Sequence, residues 1–108
     1  MLLRRMTSSL TTDSIAVVHD TAHRMFRAVT SKGIELGHLE YRLLNDHGRN
    51  AVDFIHTFTR PEAQGKGVAG RMVESGLNWA VEERLTVIPT CSYVAAYLKK
   101  NPKYSSSL

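Results

Sequence analysis

Along the first half of this chain apolar residues recur at every second position; along the second half they recur at helical spacing. Residues 50–59 (NAVDFIHTFT) show the first period most clearly. Val52, Phe54, His56 and Phe58 fall on one side of an expected strand, with Asp53, Ile55 and Thr57 on the other. Residues 14–20, 23–30 and 37–45 read as three earlier strands, the last with Leu39, Tyr41 and Leu43 on one face. Turn residues separate them: Asp20 and Thr21, then Ser31 to Gly33, then Asp46-His47-Gly48-Arg49 as a hairpin turn. The period changes at Ala69. That residue, Met72, Val73, Gly76, Leu77, Ala80 and Val81 form one face of a helix of about three turns that ends near Arg84. Residues 86–90 (TVIPT) are a short β-branched strand. Residues 92–100 form a last helix, with Lys99 and Lys100 at its C-terminal end and Asn101-Pro102 as its stop.

The expected order is ββββ-α-β-α. Tight turns make the first four strands an antiparallel meander, and a strand-helix-strand crossover makes the fifth parallel to the fourth. The class is α+β: a mixed, mostly antiparallel five-stranded sheet with two helices. Residues 14–104 form the domain, residues 1–13 a flexible N-terminal segment and residues 105–108 a tail.

Composition adds a few bounds. A chain of 108 residues has room for one domain. Its single cysteine, Cys91, excludes an intramolecular disulfide framework and a thiolate zinc site. No metal is expected, and a reducing, cytoplasmic setting is. Residues 1–12 hold Arg4, Arg5 and no acid, with Leu2, Leu3, Met6 and Leu10 on one side of a helical wheel, in the manner of a truncated mitochondrial presequence. A frayed tail explains the same residues. The net charge of +4 makes anionic partners plausible. The basic residues are spread along the chain without a nucleic-acid-binding motif, so nucleic acid is a weak reading.

The stretch RPEAQGKGVAGRM, Arg60 to Met72, is the most informative segment of the chain. It leaves a strand and enters a helix, which collects backbone N–H groups at the positive end of a helix dipole. Gly65 and Gly67 clear side chains from that cradle, and Lys66 and Arg71 add charge beside it. Residues 65–70 satisfy GxGxxG, yet the context of a dinucleotide fold is missing: the preceding strand is the fourth of an antiparallel run, and no acid follows near Thr90. A Walker A loop fails because no Gly-Lys is followed by Ser or Thr.

Gln64-Gly65-Lys66-Gly67-Val68-Ala69 matches the Q/R-x-x-G-x-G/A motif of the GNAT acetyltransferase superfamily, between the fourth strand and the long helix. The chain resembles its very small single-domain members through Asp53…His56-Thr57, Gly65-Lys66-Gly67, Thr90-Cys91-Ser92-Tyr93 and Asn101-Pro102. The likeness runs from about Ile15 to Tyr104. It implies an acetyl-coenzyme A site. Gln64, Gly65, Lys66, Gly67, Val68 and Ala69 would hold the pyrophosphate, and His56, Thr57 and Phe58 would offer backbone groups to the pantetheine arm. Lys66, Arg71, Lys99 or Lys100 would meet the remaining phosphates. The thioester would lie where the fourth and fifth strands part.

Acetyl transfer to an amine needs a base for the ammonium, a donor for the oxyanion and a proton for the leaving thiolate. His56 is the candidate base by residue type; equally, it could be a half-buried histidine packed beside Phe54 and Phe58. On a regular strand Asp53 points away from it, and only a bulge would bring the two together. Cys91, at a helix N-terminus, could accept the acetyl group, protonate the thiolate, or serve as a small buried hydrophobe. Tyr93 and Tyr97 are alternative acids. The helices that larger GNAT enzymes carry between their first two strands are replaced here by a turn, which removes much of the acceptor wall. The expected function is acetyl-coenzyme A-dependent N-acetylation of an unidentified amine, on a small molecule or a protein. The alternative is a coenzyme A-binding protein with little or no transferase activity.

Overall fold

The computed structural model of the protein describes residues 14–108. The presequence-like segment lies outside the described residues. Five strands form one sheet in chain order: β1 (Ala16–Asp20), β2 (Met25–Val29), β3 (Glu35–Asp46), β4 (Arg49–Thr59) and β5 (Thr86–Ile88). The first four pair antiparallel, and β5 runs parallel to β4. Helix α1 (Val68–Glu82) makes the crossover, and α2 (Ser92–Lys100) follows β5. This is the expected ββββ-α-β-α order, with short 3-10 helices at Pro61–Ala63 and Pro102–Ser107 added. The second of these includes three of the residues expected as a tail. Its Tyr104 is buried, and the Tyr104 hydroxyl donates to Asn78 Oδ1 on α1 at 2.7 Å.

Both helices lie on one side of the sheet, α1 against β2, β3 and β4 and α2 against α1. Between them and the strands sit Phe26, Leu39, Phe54, Met72, Leu77 and Val94, each 2% exposed or less. Burying a side chain of that size is worth about 1.5–3 kcal/mol. The close approach of α1 explains a glycine in mid-helix. A Cβ on Gly76 would lie 3.0 Å from Phe54 Cε1 and 3.1 Å from Leu39 Cδ2. His19 closes the far end of this core, stacked on Phe26 at 4.1 Å and hydrogen-bonded to the Tyr41 hydroxyl at 2.7 Å. Burial there lowers its pKa and favours the neutral ring.

The strand alternation expected for residues 50–59 breaks in the middle. Phe54 pairs with Tyr41 and His56 with Glu40, so Ile55 has no opposite residue and forms a β-bulge. One extra residue moves everything after it to the other face. Val52 and Phe54 point to the helices and are fully buried, whereas His56 and Phe58 point away and are exposed. Thr57, expected beside Asp53, turns to the helix side opposite buried Leu39.

Candidate functional site

The bulge also marks where β5 leaves β4. The two strands pair only from Ala51↔Thr86 to Asp53↔Ile88. One further bond, from the Cys91 N–H to the Phe54 carbonyl at 2.8 Å, closes the fork. Beyond it the β5-side edge of residues 55–59 faces a gap. The expected parting of the fourth and fifth strands is therefore present, and His56, Thr57 and Phe58 line its β4 side.

The glycine loop stands at the mouth of this gap. Gly65 and Gly67 have φ of 81° and 78°, in the left-handed region. A Cβ at either position would meet nothing within 4 Å, so the chain itself needs glycine there for backbone conformation, not for room. Gln64 closes the loop by donating from Nε2 to the Thr59 carbonyl at 3.2 Å. The N–H of Arg71 makes an early helical bond, to Gly67 O at 3.1 Å, and the amides of Val68, Ala69 and Gly70 before it belong to the open helix end. No side chain caps that end, and its first turn holds no acid. Lys66 is exposed beside it. Arg71 has one structural duty, donating from Nη2 to the Ile15 carbonyl at 2.8 Å, and its side of the helix remains exposed. The result is a positive potential that no acid in the first helical turn offsets, suited to a pyrophosphate.

Across the gap Cys91 is the N-cap of α2. Its Sγ lies 3.6 Å from Thr57 Oγ1. Partial burial pushes the thiol pKa up. Hydrogen bonds from the Val94 amide, the Thr57 hydroxyl and the amides of Tyr93 and Thr57 outweigh that and hold it below the ordinary thiol value. Tyr93, 42% exposed in the first turn of α2, carries its hydroxyl to the first turn of α1, near Gly70.

His56 is in a different setting from the half-buried one weighed above. It is exposed on the face away from the helices, and Phe54 is on the opposite side of β4. Its ring neighbour is His38, with centroids 6.2 Å apart. The bulge does bring Asp53 onto the same face as His56. There Arg42 Nη2 donates to Asp53 Oδ2 at 3.0 Å, while the buried Oδ1 has no hydrogen-bond partner. The structure thus sets Cys91 with Thr57 on one face of β4 and His56 with Glu40 on the other. The Thr57 side chain was absent from the sequence-derived chemistry because a regular strand hides it. The Ile55 bulge carries no glycine or proline signal that would have revealed it.

Over residues 24–108 the chain matches the family described as GCN5-related N-acetyl-transferase. It is similar to Protein NATD1 of Xenopus tropicalis, 32% identical over 89 residues that cover 82% of this chain and 79% of that protein. Protein NATD1 of Homo sapiens is 32% identical over 88 residues, 82% of this chain and 75% of its own. Among solved structures, an aminoglycoside acetyltransferase from an uncultured soil metagenomic sample superimposes with a TM-score of 0.55 at 10% identity, covering 94% of this chain and 64% of that one. Ribosomal-protein-alanine N-acetyltransferase from Brucella melitensis biovar Abortus 2308 gives 0.53 at 16% identity, covering 77% and 62%. At those identities the likeness is one of fold. The chain spans less than two thirds of the length of either structure.

Proposed function

The chain belongs to the GCN5-related N-acetyltransferase family, and from that premise we propose that it is a minimal acetyl-coenzyme A-dependent N-acetyltransferase acting on an amine. The observation that carries this reading is the α1 N-terminus: glycine-rich, uncapped by any side chain, free of acid, and placed at the mouth of the β4–β5 gap. The loop from Gly65 to Ala69 fits a pyrophosphate through its amides, with Lys66 and Arg71 alongside, whereas the Gln64 amide is spent on the Pro61 carbonyl at 3.3 Å and the Gln64 side chain closes the loop. His56, Thr57 and Phe58 supply the strand edge, beyond its pairing with β5, that an extended pantetheine arm would follow. Bound there, the coenzyme would supply an activated acetyl thioester.

The chain's own groups divide the remaining work by face. His56, reachable from the bare side of the sheet, receives the proton that an acceptor ammonium must lose before it can attack. A backbone N–H on the β4 edge donates to developing negative charge. Cys91 Sγ holds the proton that a leaving thiolate needs. Thr57 and the α2 amides take up the charge left on sulfur, which is what a lowered pKa means physically. Tyr93 is the alternative acid.

The test is thermal unfolding with increasing acetyl-coenzyme A, against dephospho-coenzyme A and ATP. Ligand at 100 times its Kd adds about 2.7 kcal/mol, which in a domain this small raises the midpoint by on the order of 10 °C. No shift at millimolar coenzyme sinks the reading. A second reading, coenzyme A binding with little turnover, is favoured by the short β1–β2 connection, which removes much of an acceptor wall. A coenzyme-specific shift without coenzyme A release across an amine panel would select it.

A further inference from the structure

We propose that the helix-free face of the sheet, from β1 to β4, is the docking surface for a lysine-rich polypeptide segment. In the transferase reading this segment is the acceptor, with a lysine amine delivered beside His56. That consequence rests on the proposed function; the docking does not.

Strand register defines the surface. Asp20, Met25, Glu40 and His56 stand opposite one another across four strands, and Val18, Arg27, His38 and Phe58 form the neighbouring row. Glu35 joins the cluster through a register shift between β2 and β3. Arg27 donates to Asp20 Oδ2 at 2.8 Å and to Glu35 Oε1 at 2.7 Å. The His38 ring lies 3.3 Å from Glu35 Oε2 and 3.3 Å from Glu40 Oε2. Three carboxylates thus face one guanidinium, beside the self-neutralised Arg42–Asp53 pair. In a chain of net charge +4 this face is locally acidic. The Glu35 and Glu40 side chains keep 39% and 34% of their surface exposed.

The apolar groups on the same face suit lysine in particular. Phe58 is 45% exposed, and its ring lies 5.6 Å from that of His38. A lysine lays its four-carbon stem on such rings and carries its ammonium to a carboxylate at their edge. A metal ion is the wrong cation: among the described residues no three His, Cys, Asp or Glu side chains converge to hold one. A free small amine is a poor fit as well. Four strands span about 14 Å of open sheet, whereas tight small-ligand sites enclose roughly 70–90% of their ligand. An extended polypeptide gathers its contacts along that width instead.

The experiment uses the full chain and a fluorescein-labelled peptide of alternating Lys and Gly, followed by polarisation without coenzyme. Saturable binding is expected. It should weaken tenfold or more in the Glu35→Gln/Glu40→Gln variant, while the acetyl-coenzyme A thermal shift stays as in the parent. A carbodiimide cross-link mapped by mass spectrometry should join peptide lysines to Glu35 or Glu40, a readout independent of any variant's folding. Equal binding of a Ser-for-Lys peptide, unchanged affinity in the variant, or cross-links confined to other carboxylates would overturn the proposal. So would competition by spermidine at the peptide's own Kd, which would make a small polyamine the occupant. Peptide binding without a coenzyme shift leaves this surface standing and removes the transferase reading; a coenzyme shift without peptide binding does the reverse.

Discussion

The two halves of β4 share a strand and little else. Ala51 to Phe54 lie between β3 and β5, and all four are buried. Ile55 is the bulge, His56 to Thr59 pair with β3 alone, and the five alternate between half-buried and exposed. The first half holds the molecule together, and the second offers a free backbone edge to the gap and side chains to two different faces. The boundary is one inserted residue. A bulge is the least change that converts a core strand into a site, because it shifts the side-chain phase and turns the strand away from its neighbour at the same point.

Substitutions in the two halves should therefore separate stability from chemistry. Phe54→Ala removes a fully buried ring that touches both β3 and α1. It should cost about 3–5 kcal/mol in urea unfolding, while the folded fraction keeps its response to coenzyme. A loss of that response without a loss of stability would put Phe54 in the site and erase the division of roles between the two halves.

Gly67→Ala probes the loop that serves the second half. Its φ of 78° costs an L-residue roughly 1–2 kcal/mol, although a Cβ there meets open space. The expected outcome is a modest fall in midpoint together with loss of the coenzyme-induced shift. A normal shift would show that the α1 amides are not what holds the anion.

The bare face should carry an acid-sensitive signature that the packed half lacks. Arg27, hydrogen-bonded to Asp20, and then His23 hold the Asp20 carboxyl at a pKa of about 2. A depressed carboxylate pKa contributes stability that is full above its unfolded value, near 3.9, and is lost as pH falls through about 2. Unfolding midpoints measured from pH 5 down to 2 should fall across that window, and Asp20→Asn should flatten the slope. An unchanged slope would mean that other carboxylates carry the acid sensitivity.

The legible parts of this molecule were those with a period or a chemical signature. Alternation located the longer strands and helical spacing the long helix, because burial of one face imposes those periods; β-branched composition marked β5, and Lys99, Lys100 and the Asn101-Pro102 stop marked α2. The glycine loop was legible because positive φ and an open helix end leave few residue choices. The face assignments after Ile55 were not legible. A bulge at an isoleucine leaves composition and hydrophobicity untouched, so periodicity counted across it put Thr57 on the wrong side and grouped His56 with Phe54. The Asp20–Arg27–Glu35–His38–Glu40 network was equally hidden, since its members come from three strands and meet only through register.

Thr57 carries the finest distinction, because it belongs to the site half yet points to the helix side. Thr57→Val keeps the shape and deletes the hydroxyl that lies 3.6 Å from Cys91 Sγ. A bond that long to sulfur adds little to folding, so stability should move by less than about 0.5 kcal/mol. The thiol should respond more. Burial, which raises its pKa, remains, whereas one of the hydrogen bonds that favour the thiolate is gone. The pH midpoint of Cys91 alkylation by iodoacetamide should rise, and the rate at neutral pH should fall, since the thiolate is the reacting form. Linkage gives the same sign. A depressed thiol pKa adds stability as pH climbs through the folded value toward the ordinary one, and the variant should show less of that gain. An unchanged alkylation midpoint would assign the lowered pKa to the Val94, Tyr93 and Thr57 amides, and would leave the Thr57 hydroxyl without a part in the site half of β4.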